Sequence, residues 1–160
     1  MGLIKYIKNY KIKRHLRLYA SKNDPIYSLD GIKCWAKIVD CYDGDTCTIV
    51  IFLENKRIKY KARMKGYDSP EMKPLLNEPD RDEIKKNAIK AKNRFIELVG
   101  GINSIVWVEC GKFDKYGRLL LVVYPKNSTK CITVNEIMIQ EGFGYSYDGG
   151  TKKNKCVNFI

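Results

Sequence analysis

Residues 34–66 read CWAKIVDCYDGDTCTIVIFLENKRIKYKARMKG, and the periodicity of this stretch decides the fold. Its last third alternates: Ile58, Tyr60, Ala62 and Met64 fall on one side, Lys59, Lys61, Arg63 and Lys65 on the other. A half-buried strand imposes that period of two, so one face belongs to a core and the other is positive. Upstream, 34–40 (CWAKIVD) and 46–53 (TCTIVIFL) are strand-like runs flanking Asp43-Gly44, a hairpin turn signal. Three strands are therefore expected, at 34–40, 46–53 and 57–66.

Working outward, residues 67–79 contain Pro70, Pro74 and Pro79 and read as loop. A helix is expected from about 81 to 99. Asp80 and Glu83 have the spacing of a capping box, Ile84, Ala88, Ala91, Phe95 and Leu98 make an apolar stripe, and Gly100 closes it. Residues 104–110 and 118–124 are strands separated by the loop GKFDKYG, and Thr133 with Glu136 opens a second short helix ended by Gly142. The pattern predicts an α+β fold, mainly β. Five short strands close into an OB-type barrel to remove their edges, with the middle helix as a cap. The barrel domain should span 32–160. Ahead of it, residues 1–31 read as a basic arm, helical over 3–20 and broken at Asn23-Asp24-Pro25 and again at 28–31. In that helix Leu3, Tyr6, Ile7 and Tyr10 share one face while Ile12, Leu16 and Tyr19 fall on another, so no single apolar stripe runs its length.

The 160 residues suffice for one domain with an arm, and 30 basic against 18 acidic residues give a net charge of +12. Seven of the basic residues (Lys5, Lys8, Lys11, Lys13, Arg14, Arg17, Lys22) lie in residues 1–22, which hold no acid; 30 − 7 = 23 against 18 leaves the body basic as well. Such a surface suits a polyanion, either nucleic acid or an anionic membrane face. The six cysteines (Cys34, Cys41, Cys47, Cys110, Cys131, Cys156) form no CxxC pair, and one histidine is too few for a zinc site. They read as reduced and mostly buried. With no signal-like or membrane-spanning apolar run, a soluble intracellular protein is expected.

That single histidine, His15, sits in the arm. Two-histidine ribonuclease chemistry, HNH-type sites and Ser-His-Asp hydrolysis each need an imidazole in a built pocket, so hydrolysis here must run on carboxylates, metal and cations. Asp43 and Asp45 flank Gly44, and Asp68 and Glu71 bracket Ser69-Pro70 after the third strand. Carboxylates at two loop ends could hold a hard divalent cation, Ca²⁺, Mg²⁺ or Mn²⁺, with positions left for water and a phosphate. Alone, Asp-Gly-Asp usually serves its turn. Arg63 and Arg118 offer guanidinium forks that can grip a phosphodiester and its developing charge.

Together these segments resemble the staphylococcal nuclease (thermonuclease) family. The matching features are DGDT at Asp43–Thr46, R-x4-D-S-P-E from Arg63 to Glu71, DKYGR at Asp114–Arg118, VNEIMIQEGF at Val134–Phe143, and Tyr145-Ser146-Tyr147, in order over residues 36–147. The resemblance implies a calcium-dependent endonuclease on an OB-type barrel, acting on DNA and RNA, with Mg²⁺ or Mn²⁺ as the less favoured ions. It implies Asp45 and Asp68 as carboxylate ligands, Ser69 as a carbonyl ligand, and Asp43 in support behind them. Glu71 would orient or deprotonate the attacking water. Arg63 and Arg118 would clamp the phosphate, and Lys115, Tyr116, Tyr145 and Tyr147 would line the nucleotide pocket. The family's third helix would follow the paired tyrosines, where 160 − 147 = 13 residues remain. The rival reading is a non-catalytic nucleic-acid-binding or interaction module of the same fold, as in repeats of eukaryotic Tudor-type nuclease proteins that have lost catalytic residues. Here the set of five (Asp45, Arg63, Asp68, Glu71, Arg118) is complete. The partners expected are DNA and RNA as substrate, with membrane contact through the arm as an alternative use of its charge, and the chain is expected to act as a monomer.

Overall fold

The computed structural model describes residues 2–125 and 132–148, with side chains from Ile7 onward. After a first helix α1 (Gly2–Tyr19), strands β1 (Lys33–Cys41), β2 (Thr46–Leu53) and β3 (Lys56–Met64) form the expected meander. A two-residue strand β4 (Tyr67–Asp68) precedes helix α2 (Arg81–Leu98). Strands β5 (Ile105–Phe113) and β6 (Leu119–Tyr124), helix α3 (Val134–Gln140) and a second two-residue strand β7 (Tyr145–Ser146) complete the order. The five long strands close in the order β1-β2-β3-β6-β5, antiparallel except for β3 against β6. This is the OB-type barrel that the sequence predicts.

Alternation places Ala36, Ile38, Ile49, Ile51, Ala62, Met64, Val106, Val108, Leu119, Leu121 and Val123 inside. Helix α2 caps the barrel through Ala88, Ala91 and Phe95, all fully or almost fully buried. Leu29, on the arm side of Gly31, is also fully buried in this core. Any truncation meant to spare the barrel must therefore stop before Leu29. By contrast, every side chain of α1 from Ile7 to Tyr19 is exposed. Among the described residues no helix is long and apolar enough to cross a membrane.

Cys41, Cys47 and Cys110 are buried free thiols and Cys34 is half-buried; Cys131 and Cys156 lie outside the described residues. Burial pushes the Cys41 and Cys110 thiols up to about 12, so they act as small apolar groups.

Two local expectations need correction. Asp80 takes a left-handed backbone (φ 59°) and makes no side-chain cap bond, so no capping box opens α2. Only an extended N-cap can fold its carboxylate back onto the first turn. The Thr133–Glu136 box does form: the Thr133 hydroxyl accepts from the Glu136 N–H at 3.1 Å, and Glu136 accepts from the Thr133 N–H at 2.7 Å. The loop expected over GKFDKYG is also shorter, because β5 continues to Phe113 across a register shift between Cys110 and Phe113.

Asn135 in α3 ties three elements. Its Oδ1 accepts from Val123 N–H at 3.0 Å, and its Nδ2 donates to Leu121 O at 3.0 Å and Lys65 O at 2.9 Å. Each buried group orphaned by its removal costs about 1–3 kcal/mol. Asn135→Ala should therefore lower unfolding free energy by about 3 kcal/mol, read from denaturant melts. A loss below about 1 kcal/mol would mean that the bridge is dispensable.

Candidate active site

The site grows from the β1–β2 turn. A Cβ at Gly44 would stand 2.9 Å from both Ala91 Cβ and Ser69 Cβ. The glycine is required by this close seating of the turn on α2 and on the segment after β4. Asp43, nearly buried, accepts the Asp45 N–H at 3.0 Å and fixes the turn. Tyr67 closes it from below: its buried hydroxyl donates to Gly44 O at 2.5 Å.

Asp45 is 2% exposed and fully engaged. Its Oδ1 accepts from Thr46 Oγ1 at 2.8 Å and from Arg63 Nη1 at 3.1 Å, and its Oδ2 accepts from the Ser69 N–H at 2.8 Å. Arg63 stands opposite Thr46 in the β2–β3 register, which aims it at the turn. Its other terminal nitrogen, Nη2, donates to Asp68 Oδ1, and Asp68 Oδ2 accepts from the Tyr145 hydroxyl at 2.6 Å. Both carboxylates thus grip one guanidinium. Burial, with Asp43 adding to it, raises the Asp45 carboxyl above the usual range, against the pull of Arg63 and the Ser69 N–H. At Arg63 burial works against the charge, but Asp45 and Asp68 outweigh it and hold the guanidinium protonated.

The tyrosines arrive by a device too short for the sequence to announce. Strands β4 and β7 pair Tyr67 with Ser146 and Asp68 with Tyr145, and the Tyr147 N–H donates to Gly66 O at 3.0 Å. Gly144 permits this approach, since a Cβ there would lie 2.5 Å from the Tyr67 ring and 3.1 Å from Asp68 O. The Arg63 Cζ consequently sits 5.6 Å from the centre of the Tyr147 ring.

The second arginine is held by its own turn. Asp114 Oδ1 accepts the N–H groups of Tyr116 and Arg118, each at 2.9 Å, and Oδ2 accepts Arg118 Nε at 2.7 Å. Burial opposes ionisation of Asp114, but the Arg118 contacts win and hold it below the usual carboxylate range. The Tyr116 ring lies beneath two cations, Lys115 at 5.1 Å and Arg118 at 5.4 Å. Parallel pairing of β3 with β6 sets this turn beside the end of β3. Between them opens a cavity of about 590 Å³, whose lining includes Arg63, Arg118, Lys115, Tyr116 and Tyr147.

Of the residues expected from sequence, Asp43, Asp45, Arg63, Asp68, Ser69, Tyr145 and Tyr147 form one connected cluster, joined to Lys115, Tyr116 and Arg118 across the cavity. Glu71 is exposed in the loop three residues beyond Asp68 and does not line that cavity. The sequence reading missed Tyr67 and Asn135. For Asn135 the signal available was an amide between the apolar residues of VNEIM; Tyr67, between Gly66 and Asp68, has no such signal.

Among the described residues no three His, Cys, Asp or Glu side chains are grouped to hold a metal ion. The oxygen chemistry nevertheless suits one. Two buried carboxylates share a cationic partner, and the buried Ser69 hydroxyl beside them has no hydrogen-bond partner. A hard divalent cation takes such donors and leaves positions to water and phosphate.

The closed OB-type barrel thus bears buried carboxylates behind a cavity lined by arginines, groups whose geometry suits a phosphate. Residues 61–158 match the family described as Staphylococcal nuclease homologue, and the chain belongs to that family. It is 31% identical over 127 residues to an uncharacterized protein of Methanocaldococcus jannaschii, covering 71% of this chain and 59% of that protein. It is 27% identical over 126 residues to a micrococcal nuclease of Shigella flexneri, covering 73% of this chain and 63% of the nuclease. The chain thus matches about three fifths of the length of these curated relatives.

Proposed function

We propose that this chain is a metal-dependent endonuclease, with calcium as its ion, that hydrolyses phosphodiester bonds of DNA and RNA. The observation that carries the reading is the convergence of Arg63 and Arg118 on one cavity, with Arg63 backed by the buried pair Asp45 and Asp68. The two carboxylates and the Ser69 carbonyl are the groups that would hold the ion, with Asp43 fixing the turn behind them. Bound there, the ion would supply Lewis-acid neutralisation of the phosphate charge that otherwise repels an incoming oxygen. Arg63 and Arg118 grip the non-bridging oxygens and strengthen their hold as charge builds at phosphorus. Glu71, exposed in the loop after Asp68, is the group we assign to orient the attacking water and take its proton. Tyr116, Tyr147 and Lys115 seat the nucleotide, and Tyr145 holds Asp68 in place. The completeness of this set favours an enzyme over a binding module.

Calorimetric titration with Ca²⁺ tests the metal half of the reading. Wild-type protein should bind calcium, and Asp45→Asn and Asp68→Asn should each weaken binding at least about tenfold. Because burial raises the Asp45 carboxyl above its usual range, protons compete with the ion for it. Affinity should therefore fall on acidification. Unchanged binding in both variants would remove these residues as ligands.

A further inference from the structure

The cavity accounts for Arg63 but not for the rest of its strand. Lys61, Lys59 and Arg57 follow Arg63 on the outward side of β3, and all three are exposed. Alternate residues of a strand repeat about every 6.7 Å, so a cation meets the solvent at each step over about 20 Å. An extended polynucleotide can follow such a track phosphate by phosphate.

At the far end the wall turns aromatic. Arg57 pairs with Phe52 on β2. Phe52 follows Ile51, the partner of Ala36, which places Trp35 beside it on β1. Trp35 pairs with Trp107 on β5, and Trp107 with Tyr124 on β6. Phe52 is 63% exposed, Trp35 62% and Trp107 36%, and the two indoles stand edge to face at 5.1 Å. Single exposed rings are ordinary; a row across adjacent strands marks an interaction surface.

Charge selects the occupant. Strands β1, β2, β3 and β5 carry eight basic residues against two acids, Asp40 and Glu109, and Glu109 is already paired with Lys33 at 3.2 Å. A second copy would bring like charge against like. A polyanion with flat apolar faces fits both halves of the wall, and only an unpaired strand has base faces to offer.

We infer that a single strand of nucleic acid, held at Arg63 and Arg118, continues along the outward side of β3. Its phosphates meet Lys61, Lys59 and Arg57, and its bases stack on Phe52, Trp35 and Trp107. This inference rests on the nucleic-acid reading of the site and specifies the form of substrate that the site takes.

The chain has two tryptophans, and both stand in the row, so their fluorescence is a built-in probe. The full chain is titrated in chelator, where cleavage is not required, with oligothymidylate of about 20 nucleotides, longer than one such site. Saturable quenching is expected. Trp35→Ala should weaken binding about fivefold or more. The double variant Lys59→Ala/Lys61→Ala should reduce the slope of log affinity against log salt by about 1.4, two phosphates at about 0.7 each. Cleavage of a dinucleotide in calcium should be the same in Trp35→Ala as in wild type, because the aromatic row begins about 20 Å from Arg63, beyond its reach. Absence of quenching, or quenching with a salt slope indifferent to Lys59 and Lys61, overturns the path even if cleavage proceeds. Self-association abolished by Trp35→Ala, without quenching, also overturns it and assigns the row to a second copy. Quenching with the expected salt slope but no cleavage supports the path and removes the catalytic reading instead.

Discussion

Arg63→Ala should slow cleavage of single-stranded DNA by about 10²–10³-fold and also destabilise the calcium-free protein by about 3–5 kcal/mol. The first effect follows from losing the proposed preorganised contact of Arg63 with the phosphate. The second follows from where the side chain lies: Arg63 is 12% exposed, and the carboxylates of Asp45 and Asp68 are 3% and 2% exposed. Removing the guanidinium leaves two buried carboxylates without their counter-charge, although Thr46 and Ser69 still donate to Asp45 and Tyr145 to Asp68. Under the proposed calcium site at the same oxygens, added calcium should restore much of the loss and raise the variant's melting temperature more than that of wild type. Urea melts in chelator and in calcium measure both. A loss below about 1 kcal/mol in chelator would contradict the counter-charge role.

Arg118→Ala should cost as much in rate, about 10²–10³-fold, and little in stability. Its partner Asp114 lies four residues away in the same turn, and the Arg118 side chain is 25% exposed. Such a pair is worth about 1 kcal/mol or less. Arg118→Lys should recover little, because an ammonium cannot present the paired N–H groups of a guanidinium. The two arginines therefore separate: one variant loses rate and fold stability together, the other loses rate alone. Near-normal turnover by Arg118→Ala would remove it from the site.

What could be read from sequence follows from the length over which each signal repeats. Strand β3 alternates from Arg57 to Met64, so the sequence separates its inner face from its outer, Arg63 among the outer. β4 and β7 are two residues each and have no period to detect, yet they bring Tyr145 against Asp68. The spacing of Asp80 and Glu83 matched that of Thr133 and Glu136, but spacing does not reveal backbone hand, and only the extended N-cap formed its box. Asp43, Asp45, Arg63 and Asp68 were nameable as acids and cations in turns. That Gly44 must be glycine because Ala91 and Ser69 crowd it is a tertiary fact, invisible along the chain. The row of Phe52, Trp35 and Trp107 likewise exists only once β1, β2 and β5 are in register.

The most direct measurement is the time course of single-stranded DNA degradation by the purified chain in Ca²⁺, in Mg²⁺ and in chelator, with folded Glu71→Ala alongside. Cleavage in calcium that stops in chelator and falls about 10²–10³-fold in the variant is the expected result. No cleavage with any metal by a demonstrably folded protein, or equal cleavage by Glu71→Ala, would contradict a catalytic site built on these residues.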